Sequence, residues 1–547
     1  SGNQNFFLTK INSDGSYGYT KVITGDRDVV GESVSVDSAD NVYISGHFGY
    51  YPFGVDFDTS LGEDIHINPN TVYNIFLTKI NADGSYGYTK TMSGDNGGQY
   101  SVSIELDSSD NIYITGYFSG TDINFDPAGG TDLHSSNGGE DIFLTKINAD
   151  GSYGYTKTIG GASGDNSRSM AVDSSDNIYI TGNFSGTDVD FDPGVGADLH
   201  SRIDGQDIFL TKINSDGSYG YTYTIGVEEG YNNQGKSLAI DSSDNIYITG
   251  NFSGTDVDFD PGVGADLHSR IDGQDIFLTK INADGSYGYT KTIGAEESYG
   301  NGGTSVAIDS FDGVYIVGAL AGTSLDFDPG AGIDSHSSMG DVDIFLTKIN
   351  ADGSYGYTYT MGGDSNDESG TTYIFIDSSD NIYIRGSFVG LSVNFNPFGT
   401  DTKISDGMSS VGFLTKFSQA LEEPTPEPAE EVHTTSGSRP SSYIYNPKIV
   451  SVVTKEQNQN STVASQEKYI FLRNLRLKDT GEDVKELQKY LNTHGFTVSL
   501  TGAGSVGKET NLFGMKTKSA LMKFQKSKGL VPDGIMGPIT RDKLNAG

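Results

Sequence analysis

Three carboxylates two residues apart, Asp188, Asp190 and Asp192, carry the strongest chemical suggestion in this 547-residue chain. Alternate side chains share a face of an extended strand, so all three would point one way, where a hard cation with oxygen ligands would relieve their repulsion. Calcium is the natural candidate. The set recurs as Asp256, Asp258 and Asp260, as Asp122, Asn124 and Asp126, and more thinly as Asp326 and Asp328. Two features pull the other way: the spacing matches no complete calcium loop, and the sixth copy, Ser392-Val-Asn394-Phe-Asn396, has lost every carboxylate. The alternative is an edge strand closed by an Asp-Pro-Gly turn.

Histidine offers less. His134, His200, His268 and His336 each fill the same place in a DLHS or DSHS stretch. A metal-ligating or acid–base histidine is expected once, with specific partners, so this recurrence reads as packing or a polar turn contact. Paired tyrosines such as Tyr153 and Tyr155 could stack on sugars, but as they return in every unit they read as packing between units. No Ser-His-Asp, paired-carboxylate or phosphate-loop constellation rises above the repeat background.

The elements that must position these residues are themselves repeated. The 42 residues from Asp173 to Asn214 return unchanged from Asp241 to Asn282, and FLTK recurs with its Phe at 7, 76, 143, 209, 277, 345 and 413. Periods of this length mark a repeat architecture. Within one unit, Ser169 to Asp173, Asn177 to Gly182, Ile208 to Ile213 and Tyr219 to Ile225 alternate β-branched or aromatic residues and predict strands a, b, c and d. SSDN joins a to b, and NADGS or NSDGS joins c to d, with Gly supplying the positive φ of a tight reversal. Four antiparallel strands repeated around an axis predict an all-β propeller, with an open β-solenoid as the alternative. The strands suffice for six blades, the last borrowing strand d from Tyr17 to Ile23, and for seven if a further a and b are supplied. The first FLTK strand has no place in the six-blade scheme.

Antiparallel order puts the a–b and c–d turns on one side of the disc and the d–a and b–c loops on the other. The turns are nearly invariant, whereas the d–a loops differ in every copy. Loops free to differ on a repeated scaffold are where recognition would sit, which makes Arg27, Tyr100, Arg168, Tyr231, Asn233, Tyr299 and Asp367 the candidate ligand-face residues. Unconstrained drift of these loops is the alternative.

With 73 Asp+Glu against 35 Lys+Arg the formal charge is −38, which disfavours nucleic acid and anionic lipid and favours cationic partners. There is no cysteine, so disulfides and thiol catalysis are excluded, and no apolar run long enough to predict a membrane span. The opening SGNQNFFLTK has neither Met nor a targeting segment, as expected of a processed, trimmed or partial product.

After Phe417 the composition shifts. LEEPTPEPAEEVHTTSGSRPSS is that of a solvated spacer, so the expected organisation is a propeller over 1–418, a linker over 419–467 and a second domain over 468–547. Residues 471–547 hold 13 Lys+Arg against 7 Asp+Glu, a net of +6. Thr480 is expected to cap a helix with Asp483 at its third position, and Val484, Leu487 and Leu491 fall on one buried face. A second helix is expected near Met515 to Ser527 and a third from Gly537-Pro538, giving a small all-α three-helix domain.

Two resemblances follow from these motifs. D-x-F-L-T-K-I-N-x-D-G-S-Y-G-Y-T with A-V-D-S-S-D-N-I-Y-I-T-G, over roughly residues 5 to 418, resembles the bacterial β-propeller repeat common in secreted proteins. It is specific for fold and almost silent on activity. L-R-L-K-D-T-G-E-D-V-K-E-L-Q-K-Y-L-N, then F-G-x-x-T-K-x-A-L-x-K-F-Q, then V-P-D-G-I-M-G-P-I-T-R-x-x-L resembles the three-helix peptidoglycan-binding domain of bacterial wall hydrolases. That resemblance implies peptidoglycan as partner, held between the helices, with motif positions Asp479, Thr480, Asp483, Gln488, Phe513, Thr517, Asp533 and Gly534, of which Phe513 is expected to be structural. The segment Ser499 to Thr510 is longer than in the simplest members. Taken together, the chain reads as a non-catalytic, cell-wall-anchored extracellular binding or adhesion protein. A wall- or glycan-processing enzyme with its centre on the propeller axis and a self-assembling surface-layer component are the alternatives.

Overall fold

The computed structural model describes residues 5–418 except 13–14, 26–27, 50–53, 61, 69–71, 95, 204, 227–231, 295–299, 364–371, 390–391, 398–401 and 405–409. It also describes 469 and 471–546 except 472, 477–478, 500–504, 506, 514, 529 and 531–534. The chain divides into two compact units, 1–430 and 431–547.

The first unit is a six-bladed β-propeller. Blade 3 shows the plan: strands a (Asp165–Val172), b (Ile178–Phe184), c (Asp207–Ile213) and d (Tyr219–Ile225) pair antiparallel in that order. Blades 1, 2, 4 and 5 repeat it, with strands a at Val29–Val36, Gln99–Leu106, Gln234–Ile240 and Gly302–Ile308. Blade 6 has strands a (Tyr373–Ile376), b (Ile382–Phe388) and c (Val411–Phe417).

The expected loan of Tyr17–Ile23 to blade 6 does not occur. That strand pairs instead with Phe6–Ile11, the FLTK strand left over by the six-blade scheme, as a separate hairpin. The physical reason is local: a c–d turn joins the two strands, and Thr9 and Thr20 share the same 2.9 Å cross-strand hydroxyl hydrogen bond as Thr145 and Thr156 in blade 2. The hairpin packs on blade 1, with Ile23, Phe6 and Leu8 joining Val29, Ile44 and Phe76 in one core.

Each blade interface is apolar, as between blades 2 and 3, where Tyr113, Ile142 and Leu144 meet Met170, Ile178 and Phe209. Burying such side chains is worth about 1.5–3 kcal/mol each. Polar staples fix the register. In the a–b turn, Asp176 adopts φ 62°, a conformation that Asp tolerates better than most residues, and its carboxylate accepts the backbone N–H and hydroxyl of Ser108 of the preceding blade at 2.8 Å each. The same pair links Ser38 to Asp110, Ser174 to Asp244, Ser242 to Asp312 and Ser310 to Asp380. The Lys of FLTK also has a place, with its ammonium over the tyrosine ring of strand b, 5.0 Å in the pair Lys146 and Tyr113.

The second unit holds three helices, α1 (Glu482–Thr493), α2 (Met515–Ser527) and α3 (Pro538–Ala546), around Val484, Leu487, Leu491, Phe513, Leu521, Phe524 and Leu544. Thr480 is not the cap. Gly481 occupies that position at φ 150° and has no side chain to cap the helix, while Asp483 Oδ1 accepts the Val484 N–H at 3.0 Å. Asp483 is also gripped by the Arg473 guanidinium, which donates to the Thr480 carbonyl at 2.9 Å. A side chain at Gly481 would collide with both partners.

Candidate functional site

The repeated carboxylates lie on two-stranded ribbons between strands b and c. Val189–Asp190 pairs with Leu199–His200, and the equivalent ribbons carry Val257–Asp258 and Ile123–Asn124. Alternation holds as expected, with Val189 and Phe191 fully buried on the inner side and the carboxylates outside. Phe191 drops between Phe184 and Phe209, 5.3 Å from each, and against His200 at 5.5 Å.

Outside, the carboxylates hold the turn. Asp190 Oδ1 accepts N–H from Asp192 and Asp198 at 3.1 and 2.9 Å, and Asp192 accepts from Gly194 at 2.8 Å. Asp258 and Asp260 repeat this in blade 4. Asp188 and Asp256 have left-handed φ of 55° and 54° and receive the hydroxyls of Ser201 and Ser269. In blade 2 the neutral Asn124 accepts the same two N–H groups from Asp126 and Asp132, at 3.1 and 2.9 Å. A net charge is not required for that role. Among the described residues no three His, Cys, Asp or Glu side chains are grouped to hold a metal ion.

The recurring histidines are polar contacts. His134 sits 3.0 Å from Asp132, with its Nδ1 facing the Thr158 hydroxyl at 3.4 Å and its ring edge-on to Phe125. Asp132 also accepts the hydroxyl of Tyr153. Burial would raise this carboxyl, but the hydrogen bonds from Tyr153 and His134 outweigh it and hold it below the usual carboxylate range. Tyr155 lies against Gly217 of the next blade, which is packing between units.

The ligand-face residues converge only in part. Tyr100 stacks on Tyr117 at 5.1 Å and touches His47 and Tyr73 at 5.0 and 5.6 Å. Arg168 sits in the bulge of strand a and donates to Asn183 at 3.4 Å. It also stands close enough to Tyr117 and Tyr373 to act on both electrostatically. Asn233 is fully buried, not exposed: its Oδ1 accepts the Ser253 N–H at 3.0 Å, which ties the start of strand a to the end of strand b. Arg27, Tyr231, Tyr299 and Asp367 lie outside the described residues.

Several residues outside the candidate set join this cluster, Tyr73, Tyr117 and Tyr373 among them. Glu32 lies 3.4 Å from His47, and Arg385 stacks on Tyr373 at 4.2 Å within electrostatic reach of Glu32. Burial pulls His47 down to about 4, so it is neutral near pH 7. The signal for them was present: blade 1 and Arg385 are where the repeat departs most from its consensus. A cavity of about 330 Å³ is lined by strands a of blades 2 to 6, among them Met170, Leu238 and Phe375. Its one carboxyl, Glu105, is raised by burial to about 7.

In the second unit Gln488 and Thr517 are buried against each other, amide to hydroxyl at 2.9 Å. Gln488 also donates to the Leu512 carbonyl and accepts the Thr510 N–H, at 3.0 and 2.8 Å. Gln525 repeats the motif on α2 with Thr540 and the Ile535 carbonyl, at 3.1 and 2.8 Å. Asp479 accepts the Arg476 N–H at 2.8 Å, and its carbonyl accepts that of Phe513. Asp533 and Gly534 lie outside the described residues.

Residues 480–544 match the family model of a peptidoglycan binding domain, and residues 154–192 match that of a β-propeller repeat. The chain joins a β-propeller to a peptidoglycan-binding domain. An uncharacterized WD repeat-containing protein of Acanthamoeba polyphaga mimivirus is 26% identical over 155 residues, 27% of this chain and 11% of that protein. The chain therefore spans a small part of that relative's length. The extracellular domain of a one component system from B. thetaiotaomicron aligns over 71% of this chain and 67% of its own, at 13% identity and a TM-score of 0.14. Propeller and peptidoglycan-binding domain are both binding or repeat modules, consistent with a binding role and association with the cell wall. Among the described residues no helix is long and apolar enough to cross a membrane.

Proposed function

We propose that the protein is a non-catalytic, extracellular binding protein. Its C-terminal unit attaches to peptidoglycan, and its propeller presents the d–a face to a protein or glycan. The observation that carries the propeller half is the convergence of Tyr100, Tyr117, Tyr373, Arg168, Arg385 and Glu32 on the variable-loop side. Aromatic faces and guanidinium groups suit polar, hydrogen-bonding ligands. The ribbon carboxylates serve turn geometry in this reading. A calcium titration that raises the melting temperature of the intact chain would add a cation to it.

Glu105 favours a second reading, an enzyme working on the axis, because a carboxyl poised near 7 suits general acid–base chemistry. One experiment separates them. The intact chain, the intact chain carrying Glu105→Gln, and residues 468–547 are incubated with purified peptidoglycan sacculi, and the same tubes are assayed for bound protein and released fragments. Retention of all three without release is the expected result. Release by the intact chain that is lost with Glu105→Gln would replace the binding reading with the enzymatic one.

A further inference from the structure

We propose that the axial cavity is a binding site for a small organic cation, a protonated amine on a compact aliphatic body, with Glu105 as its counter-ion. The site goes beyond the binding reading and is separate from the d–a face. Its walls are the last two or three residues of strands a, which run into the a–b turns. The cavity therefore lies toward the opposite end of the axis from the variable loops. The strands that carry the argument belong to blades 2 to 5, each packed against a blade on both sides.

Two sets of equivalent positions build the site. Beside the turns stand Leu106, Val172, Ile240 and Ile308, all aliphatic and half-buried. One residue back along strand a, blades 3, 4 and 5 hold Ala171, Ala239 and Ala307, whose small side chains leave space at the axis, and blade 2 holds Glu105. Strand pairing fixes the equivalence: these four residues face Tyr179, Tyr247, Tyr315 and Tyr113 of their own strands b. A repeat that otherwise sets an apolar methyl at this register sets one carboxyl there.

Among the described residues nothing hydrogen-bonds to the Glu105 carboxyl or pairs with it, and burial alone raises it to about 7. Tyr113, opposite it on strand b, is itself raised by burial and stays neutral, and Lys146 of strand c is held by Asp107 at 3.6 Å. An unpaired carboxylate among aliphatic walls is costly. A cation that brings its own apolar surface offsets that cost and covers the walls at the same time. A metal ion does neither well, because a hard cation needs several oxygen ligands and the cavity offers one carboxyl. Its volume of about 330 Å³ is at the small end of ligand pockets, which restricts the amine to a compact body. The chain's net charge of −38 favours cations generally, so the discriminating property is charge and apolar body together.

The test titrates the full chain with cyclohexylammonium by calorimetry at physiological salt, which screens the acidic surface. Saturable binding at one site per chain is expected. Cyclohexanol, which has the body without the charge, and methylammonium, which has the charge without the body, should each bind about tenfold more weakly or worse. Glu105→Gln keeps the side chain's size and should cost cyclohexylammonium about tenfold in affinity without weakening cyclohexanol. Ala239→Leu, at a register where blade 6 already holds Phe375, fills the cavity and should abolish binding of both. Because the amine needs the carboxylate form, affinity should fall about tenfold from pH 8 to pH 6 in the unaltered chain and stay level in Glu105→Gln. Methylammonium binding as tightly as cyclohexylammonium, undiminished binding by either folded variant, or no saturable binding would each overturn the proposal. Amine binding is measured without sacculi, so these outcomes are distinct from retention on peptidoglycan or release from it.

Discussion

Asp141, Asp275 and Asp343 open strand c of blades 2, 4 and 5, where almost no water reaches them. One carboxylate oxygen of each accepts a backbone N–H at 2.8–2.9 Å, from Asn137, Ile271 and Met339, while Oδ1 has no partner. Burial pushes these carboxyls up, to about 7, 6 and 6. A carboxyl raised on folding favours the native state while protonated, so its contribution is complete below its unfolded pKa near 4 and is lost as pH rises through 6 to 7. The melting temperature of the propeller should therefore fall between pH 5 and pH 8, with each site costing about 1–3 kcal/mol. Blade 1 already carries the neutral analogue, Asn74, at this position. Asp141→Asn should flatten the pH dependence and stabilise the protein at pH 8, as thermal unfolding monitored by circular dichroism would show. The turn aspartates act in the opposite sense. Burial raises Asp107, but the side chain and N–H of Asn111 and the N–H of Ser109 outweigh it and leave it low, so its contribution disappears as pH falls below about 4. The repeated histidines were legible as polar contacts from their recurrence alone. The strand c aspartates were not, because the D of D-x-F-L-T-K reads as one more acidic residue until burial is known.

The ribbon between strands b and c shows what an element adds. Its alternation was legible, but only packing shows that Phe191 plugs the blade and that the carboxylates close a turn. Phe191→Ala should cost about 3–5 kcal/mol, measurable as a shift in denaturant midpoint at unchanged slope. Asp190→Asn should be nearly silent, given Asn124 in the same role, whereas Asp190→Ala should cost about 1–3 kcal/mol by leaving two N–H groups without their acceptor. Silence of Asp190→Ala would show that the hydrogen bonds do not hold the turn. Strands a to d were read correctly because each has a period of two and a turn signal at either end. The helix start at Gly481 was misread because Thr480 and Asp483 fit a cap by type, and nothing in their spacing reveals that Arg473 claims the acid.

At the scale of the molecule, two compact units with separate cores should melt in two calorimetric transitions. The strand c aspartates all belong to the propeller, so a change from pH 5 to pH 8 should lower its transition by more than that of the helical unit. Equal displacement of both would contradict the assignment of the pH response. Repeat architecture was legible because the same 42 residues occur twice. The partner of the first FLTK strand was not, since the six-blade count left that strand without a place and assigned Tyr17–Ile23 to blade 6.

The unchanged copies begin 68 residues apart, at Asp173 and Asp241, and span strands b and c of neighbouring blades. Misaligned crossing-over between them in the gene would excise or insert one whole blade in phase, and every new junction would still meet a Ser donor with an Asp acceptor. Strands a to d of each four-stranded blade pair with one another, so such an event would leave the order of strands within every blade unchanged. The molecule is built to be lengthened or shortened by inheritance in units of one blade.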